Sequence, residues 1–148
     1  MIARGAFTTA LATLLATASG KPVGRGRTPG GPPPYYLLTF IDQSVSGAPL
    51  ADLNEDASLV YQVTCVSGPD PARAGTTGSQ EQVDWLADRA RAAILGRNPD
   101  TGQWVNALTV PGMRVMCREL ELEPGESSDP ADAIMSSVIR FRFDLTST

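Results

Sequence analysis

The sequence predicts an α+β domain, a four-stranded mixed or antiparallel sheet with two helices packed on one face, in the order α-β-β-α-β-β. Three observations predict it. Residues 58–67 (SLVYQVTCVS) and 137–146 (SVIRFRFDLT) alternate with a period of two, the mark of strands. Residues 79–95 (SQEQVDWLADRARAAIL) carry apolar side chains at spacings of three and four behind a Ser-x-x-Gln start, the mark of a capped amphipathic helix. The 148 residues, 42% hydrophobic and 19% charged, suffice for one domain (1–148) with its own core.

The first helix is expected over Ala3 to Ala18, where Phe7, Leu11, Leu14, Leu15 and Ala18 share one face. Gly20 stops it and Pro22 lies just beyond. The helix either docks on its own domain or packs on a neighbouring copy. The same stretch, Met1 to Gly20, has the outline of a secretory leader: an early Arg, an apolar run and a small-residue end. Thr8, Thr9, Thr13 and Thr17 break the apolar run, which favours the helix.

Residues 21–34 (KPVGRGRTPGGPPP) are too rich in Gly and Pro for a helix or a central strand and form an arm. The arm is either a solvated linker or a contact with another subunit. Tyr35 to Gln43 is apolar on both faces, with Tyr36, Leu38 and Phe40 together, and is expected as a central strand. Ser58 to Ser67 follows, with Leu59, Tyr61, Val63 and Cys65 pointing one way. In the second helix Val83, Leu86, Ala87, Ala90 and Ile94 form the buried stripe, and Gly96 ends it. A short strand is expected at Trp104 to Ala107. Met113 to Leu122 is a strand whose inward set shifts from Val115 and Cys117 to Leu120 and Leu122. One extra residue near Arg118, a β-bulge, accounts for that. In the last strand Ile139, Phe141, Phe143 and Leu145 face in, and Arg140, Arg142 and Asp144 face out.

Charge is unevenly placed. Residues 1–34 hold Arg4, Lys21, Arg25 and Arg27 and no acid, whereas the whole chain carries −4. A basic arm therefore sits on an acidic body, and the chain as a whole is not a nucleic-acid binder. From Glu119 to Asp132 there are six acids and no base. These acids either keep the domain soluble or, if copies form a ring, line its hole and repel a passing phosphate backbone. Asp42, Asp52, Glu55 and Asp56 make a second acidic patch.

Motifs for catalysis are missing from the sequence. There is no histidine, so the commonest general base and metal ligand are gone. Lys21 is the only lysine, and no glycine-rich phosphate loop leads to it. The two cysteines, Cys65 and Cys117, are too far apart for a short zinc knuckle and are expected as two buried free thiols. Asp84 and Asp88, one helical turn apart, are expected as a solvated face balanced by Arg89 and Arg91. The chain is accordingly expected to be no enzyme, with no cofactor and no metal site.

Several phrases together resemble the tail terminator (tail completion) proteins of long-tailed actinobacterial bacteriophages. They are Tyr35-Tyr36-Leu37-Leu38, Gly47-Ala48-Pro49-Leu50-Ala51-Asp52, Asp56-Ala57-Ser58-Leu59-Val60-Tyr61-Gln62-Val63-Thr64, and Gln82-Val83-Asp84-Trp85-Leu86-Ala87-Asp88-Arg89-Ala90-Arg91. The resemblance covers roughly residues 35–96 and brings no catalytic residues. It implies a ring-forming virion protein, typically a homohexamer, assembled in the host cytoplasm and placed at the head–tail junction. Such a ring caps the tail tube, stops its polymerisation and meets the head-completion (connector) protein, while DNA passes through without specific binding and no membrane is involved. On that footing Lys21, Arg25 and Arg27 are the candidate subunit or partner contacts. Glu123, Glu126, Asp129 and Asp132 are the candidate channel-facing acids. Another connector subunit, a minor tail tube subunit, or an exported binding domain are the alternatives.

Overall fold

The computed structural model describes residues 2–46, 55–69, 71–72, 75–124, 127–129 and 134–148, with the side chains of 46 and 127–129 left aside. The elements are α1 (Arg4–Ser19), β1 (Val23–Arg25), β2 (Tyr35–Ser46), β3 (Asp56–Ser67), α2 (Gln80–Leu95), β4 (Met113–Leu122), β5 (Ser127–Asp129) and β6 (Ile134–Ser147). Five strands lie side by side in the order β1-β2-β3-β6-β4, and β5 adds to β6. The sheet is mixed, because β1 runs parallel to β2 while all other pairs are antiparallel. The α+β class and the two helices are as expected; the count of four strands is not. The four long strands stand where the alternation put them. Two three-residue strands, β1 inside the arm and β5 inside the acidic stretch, are too short to show a period.

One core joins the helices to a single face of the sheet. It includes Phe7, Leu11 and Leu15 of α1, Leu86, Ala90 and Ile94 of α2, and the inward residues of β2, β3 and β6. Phe7 is the keystone of its aromatic part. Its ring lies 5.6 Å from Tyr61 and 5.2 Å from Phe143, edge-on to the latter, the offset geometry that aromatic pairs favour. α1 therefore packs on its own domain. The Thr8 hydroxyl reaches Tyr61 Oη at 2.5 Å, so the buried phenol keeps a partner. Gly20 ends α1 in the left-handed conformation (φ 72°), its N–H bonded to the Ala16 carbonyl.

The start of α2 departs from the expected capping box in one half. Ser79 Oγ accepts from the Gln82 N–H at 3.2 Å, as a cap should. The Gln82 side chain does not return to Ser79. It accepts instead from Ser67 Oγ at 2.5 Å, and Ser67 Oγ in turn takes the Ser79 N–H at 3.1 Å. The last residue of β3 thus completes the cap and fixes the helix entry to the sheet. At the far end Gly96 is extended rather than left-handed. A Cβ there would stand 2.4 Å from the Ala92 carbonyl oxygen, so close approach selects glycine.

Three further expectations are corrected. β2 is central over residues 36–38 only, where β1 pairs with its outer edge. Trp104 to Ala107 is not a strand; Trp104 makes a single bridge to Arg97. β4 has two irregularities, at 115/117 and 120/122, rather than one near Arg118. The first turns Cys117 to the open face opposite Asp144 and brings Arg118 opposite Phe143, on the helix side. Cys117 is consequently only half-buried; Leu120, opposite Phe141, and Leu122, placed opposite Arg140 by the second irregularity, are both exposed. Both cysteines are free.

Candidate interaction surface

The arm is ordered and basic. β1 pairs with β2 in the register Val23↔Tyr36, Gly24↔Leu37 and Arg25↔Leu38. The Tyr36 N–H donates to the Pro22 carbonyl at 2.9 Å and the Gly26 N–H to the Leu38 carbonyl at 3.0 Å. After β1 the chain folds back so tightly that a Cβ on Gly24 would lie 1.9 Å from the Arg27 carbonyl oxygen. Only glycine fits there. The turn carries the Arg25 and Arg27 side chains into solvent.

The three arm cations stand in different settings. Lys21 Nζ lies 5.3 Å from the Trp85 ring centre, and the Arg89 guanidinium lies over the same indole at 4.7 Å. Arg89 also donates from Nε to the Ser19 carbonyl at 3.3 Å, tying α2 to the end of α1. Arg25 donates from Nη1 to Thr9 Oγ1 at 3.0 Å. Arg27 is exposed. Trp85 itself is 41% exposed, so this corner offers cations and an aromatic face together.

The acidic side lies on the opposite edge. Glu123 is exposed and accepts from Arg91 Nη1 at 2.5 Å; Arg91 also pairs with Asp88. Glu126 and Asp132 lie outside the described residues. Asp129 is placed in β5 by its backbone alone. Of the expected channel-facing set, Glu123 alone has a described side chain, and it is partnered by Arg91.

Sequence reasoning missed three features. The first is a clamp of two arginines on one indole: Arg97 at 4.0 Å and Arg118 at 4.6 Å from the Trp104 centre. Arg118 is only 6% exposed, and burial, with Arg97 nearby, lowers its pKa. The second is a polar ladder on the open face. Arg142 pairs with Glu119 at 2.6 Å and with Asp144 at 3.6 Å, Ser58 donates to Asp144 at 2.5 Å, and Arg140 reaches Gln62 at 3.3 Å. Cys117, Glu119 and Asp144 bring three potential ligand atoms within 4.8 Å. Arg142 already neutralises both carboxylates, and burial together with the bond to Glu119 raises the Cys117 thiol pKa, so the trio is a poor metal donor set. The third is the set of exposed apolar residues on β4, Met116, Leu120 and Leu122; Met116 is the extra residue of the first irregularity, Leu122 stands opposite Arg140 after the second, and Leu120 keeps the expected side opposite Phe141 yet is exposed.

A shallow groove of about 490 Å³ runs between α1 and residues 105–109, lined by Ala10, Leu14, Thr17 and Leu108 among others. Its lining has no charged side chain. The one thiol beside a carboxylate among these groups, Cys117 donating to Glu119 at 3.3 Å, has that carboxylate held by Arg142.

No protein-family model matches the chain, and no curated protein does. Among solved structures the chain is similar to one in "Virion of native gene transfer agent (GTA) particle", with a TM-score of 0.56, 16% sequence identity and 97% of each chain covered. At that identity the likeness is one of fold, and it extends over essentially the whole of both chains.

Proposed function

We propose that this chain is a structural virion protein that acts by shape and self-association, without catalysis. The single observation that carries the reading is the whole-chain fold likeness to a subunit of a gene transfer agent virion, 97% of each chain at a TM-score of 0.56. Within that class, the phrases between residues 35 and 96 favour the tail terminator. On this reading the chain forms a homohexameric ring at the head–tail junction, caps the tail tube, ends its growth and offers a surface to the connector. DNA passes through the ring. No helix among the described residues is long and apolar enough to cross a membrane.

Two observations support self-association. Among the described residues β4 is an outer strand with no neighbour on its far edge, and β1 covers only residues 36–38 of the outer edge of β2; a free edge is a template for pairing with another chain. The packing of α1 counts against the exported-domain alternative. Cleaving a leader there would remove Phe7, Leu11 and Leu15, all fully buried, from the core. A connector or minor tube subunit draws on the same support and differs only in position within the particle.

The test is the mass of the purified protein in solution, negative-stain images of its shape, and antibody labelling of virions. A ring of about six copies labelled where tail meets head is expected. A permanent monomer absent from virions would end the reading.

A further inference from the structure

We propose that neighbouring copies join head to tail, the acidic β4–β5 edge of one meeting the basic β1–β2 edge of the next. This deepens the ring reading and rests on it. The argument begins with sheet order. β1 and β4 are the two outer strands of the same sheet. The arm cations Arg25 and Arg27 lie at the first edge, and Glu119, Glu121 and Glu123 lie on or just after the strand at the second. The β1 end of one edge is therefore basic and the Glu119–Glu123 end of the other acidic; Arg142 and Arg91 partner Glu119 and Glu123, Glu121 is exposed, and Arg114 and Asp42 stand farther along the two edges.

The register puts these charges at one height. Arg25 pairs with Leu38, Leu38 with Val63, and Val63 with Ile139. At the other edge Leu122 pairs with Arg140, one residue along β6 from Ile139. Glu121 and Glu123 thus stand level with Arg25, with the width of the sheet between them. A copy rotated about an axis running along the strands keeps its rows level and brings the two sets together. The strand directions agree as well. Three antiparallel steps separate β2 from β4, and β1 is parallel to β2. The new junction is therefore antiparallel, the more stable ladder per residue.

Apolar surface points to the same two edges. Of the seven exposed large apolar residues among those described, five lie on β2 or β4: Ile41, Val45, Met116 (50%), Leu120 (43%) and Leu122 (48%). Outer strands normally hide such side chains or replace them with charges. A contact between unlike edges is heterologous, and such contacts close into a ring when the rotation allows. The occupant of each edge is thus a second copy of this chain.

The experiment uses two charge-reversed full-length proteins, R25E/R27E and E121K/E123K, with wild type beside them. Circular dichroism checks folding, and analytical ultracentrifugation reads assembly. Each variant alone is expected to assemble about tenfold more weakly or worse, because like charges then meet at the junction. An equal mixture of the two is expected to assemble again, with copies alternating. Misfolded protein would not recover on mixing. Wild-type assembly is expected to weaken from ~0.1 M to ~1 M salt as the Debye length falls from about 10 to about 3 Å. Folded variants that assemble like wild type, or a mixture that stays apart, would overturn this junction while leaving the ring reading intact. A monomeric wild type would overturn both.

Discussion

The Arg118 guanidinium lies over the Trp104 indole at 4.6 Å while its Nη1 donates to the Ile94 carbonyl at 3.0 Å. One side chain thus satisfies the end of α2, covers an aromatic face and holds the loop after Gly96 against β4. It does so without a carboxylate. No ion pair to Arg118 is present among the described residues, and its Nε is buried without a partner. The C-terminal carbonyls of α2 supply the negative pole it faces.

A buried cation so placed makes a sharp substitution test. R118A removes the stem, the helix-end bond and the cover on Trp104 together, and is expected to cost about 2–4 kcal/mol. R118M keeps the length and the apolar contact and removes a charge that is costly to bury. It is expected to cost about 1 kcal/mol or less. Urea unfolding of the two variants checks the order. A methionine variant as unstable as the alanine one would mean that the charge, rather than the packing, holds the loop.

Phe7 is expected to be the most sensitive position in α1. It is fully buried and touches rings from β3 and β6. F7A is expected to lose about 3–5 kcal/mol, a large part of the 5–15 kcal/mol that typically holds a domain. Equilibrium denaturation measures it. Removing residues 1–20 should leave a chain without a cooperative transition.

Alkaline pH is expected to unfold the protein through three buried acids that prefer to stay protonated. Burial raises the Tyr36 and Tyr61 phenols above their ordinary value, and pushes the Cys65 thiol up to about 12. Folded pKa values above the unfolded ones mean that the unfolded chain releases its protons first. The stability these groups contribute is complete below about pH 8, where both forms are protonated, and is lost as pH rises, first through the unfolded thiol at about 8.5 and then through the unfolded phenols at about 10, up to the folded values. Each titrating group steepens the loss by up to about 1.4 kcal/mol per pH unit. Y36F gives up the bond from Tyr36 Oη to the Leu86 carbonyl (2.6 Å) and should cost about 1 kcal/mol at neutral pH. It should also flatten the decline above pH 10, which denaturation curves at successive pH values will show.

The long elements were legible in the sequence because each repeats one rule many times. In β3 and β6 the apolar residues alternate over ten positions, and in α2 the stripe runs for three turns, so local noise averages out. Where a single residue decides, legibility failed. The extra residue at Met116 turned Cys117 outward and Arg118 inward, and an arginine set in an aromatic neighbourhood does not announce burial by type. β1 was hidden because three residues between prolines and glycines show no period; only its partner β2 makes it a strand. Of the candidate contacts, the arm cations were visible as a charge imbalance. Their position opposite the acids was not, because it follows from strand order, and strand order depends on pairings between distant segments.

That order sets a timetable for synthesis. β6 lies between β3 and β4 and makes the most distant pairings in the chain, Asp56 with Thr146 among them. Until the ribosome has released it, β4 has no neighbour to bond and Phe7 lacks the Phe143 ring. The nascent polypeptide must therefore wait, half-collapsed, with its outer strands unfinished. On the proposed assembly, copies would become competent to join only after their final strand slots into the middle of the sheet.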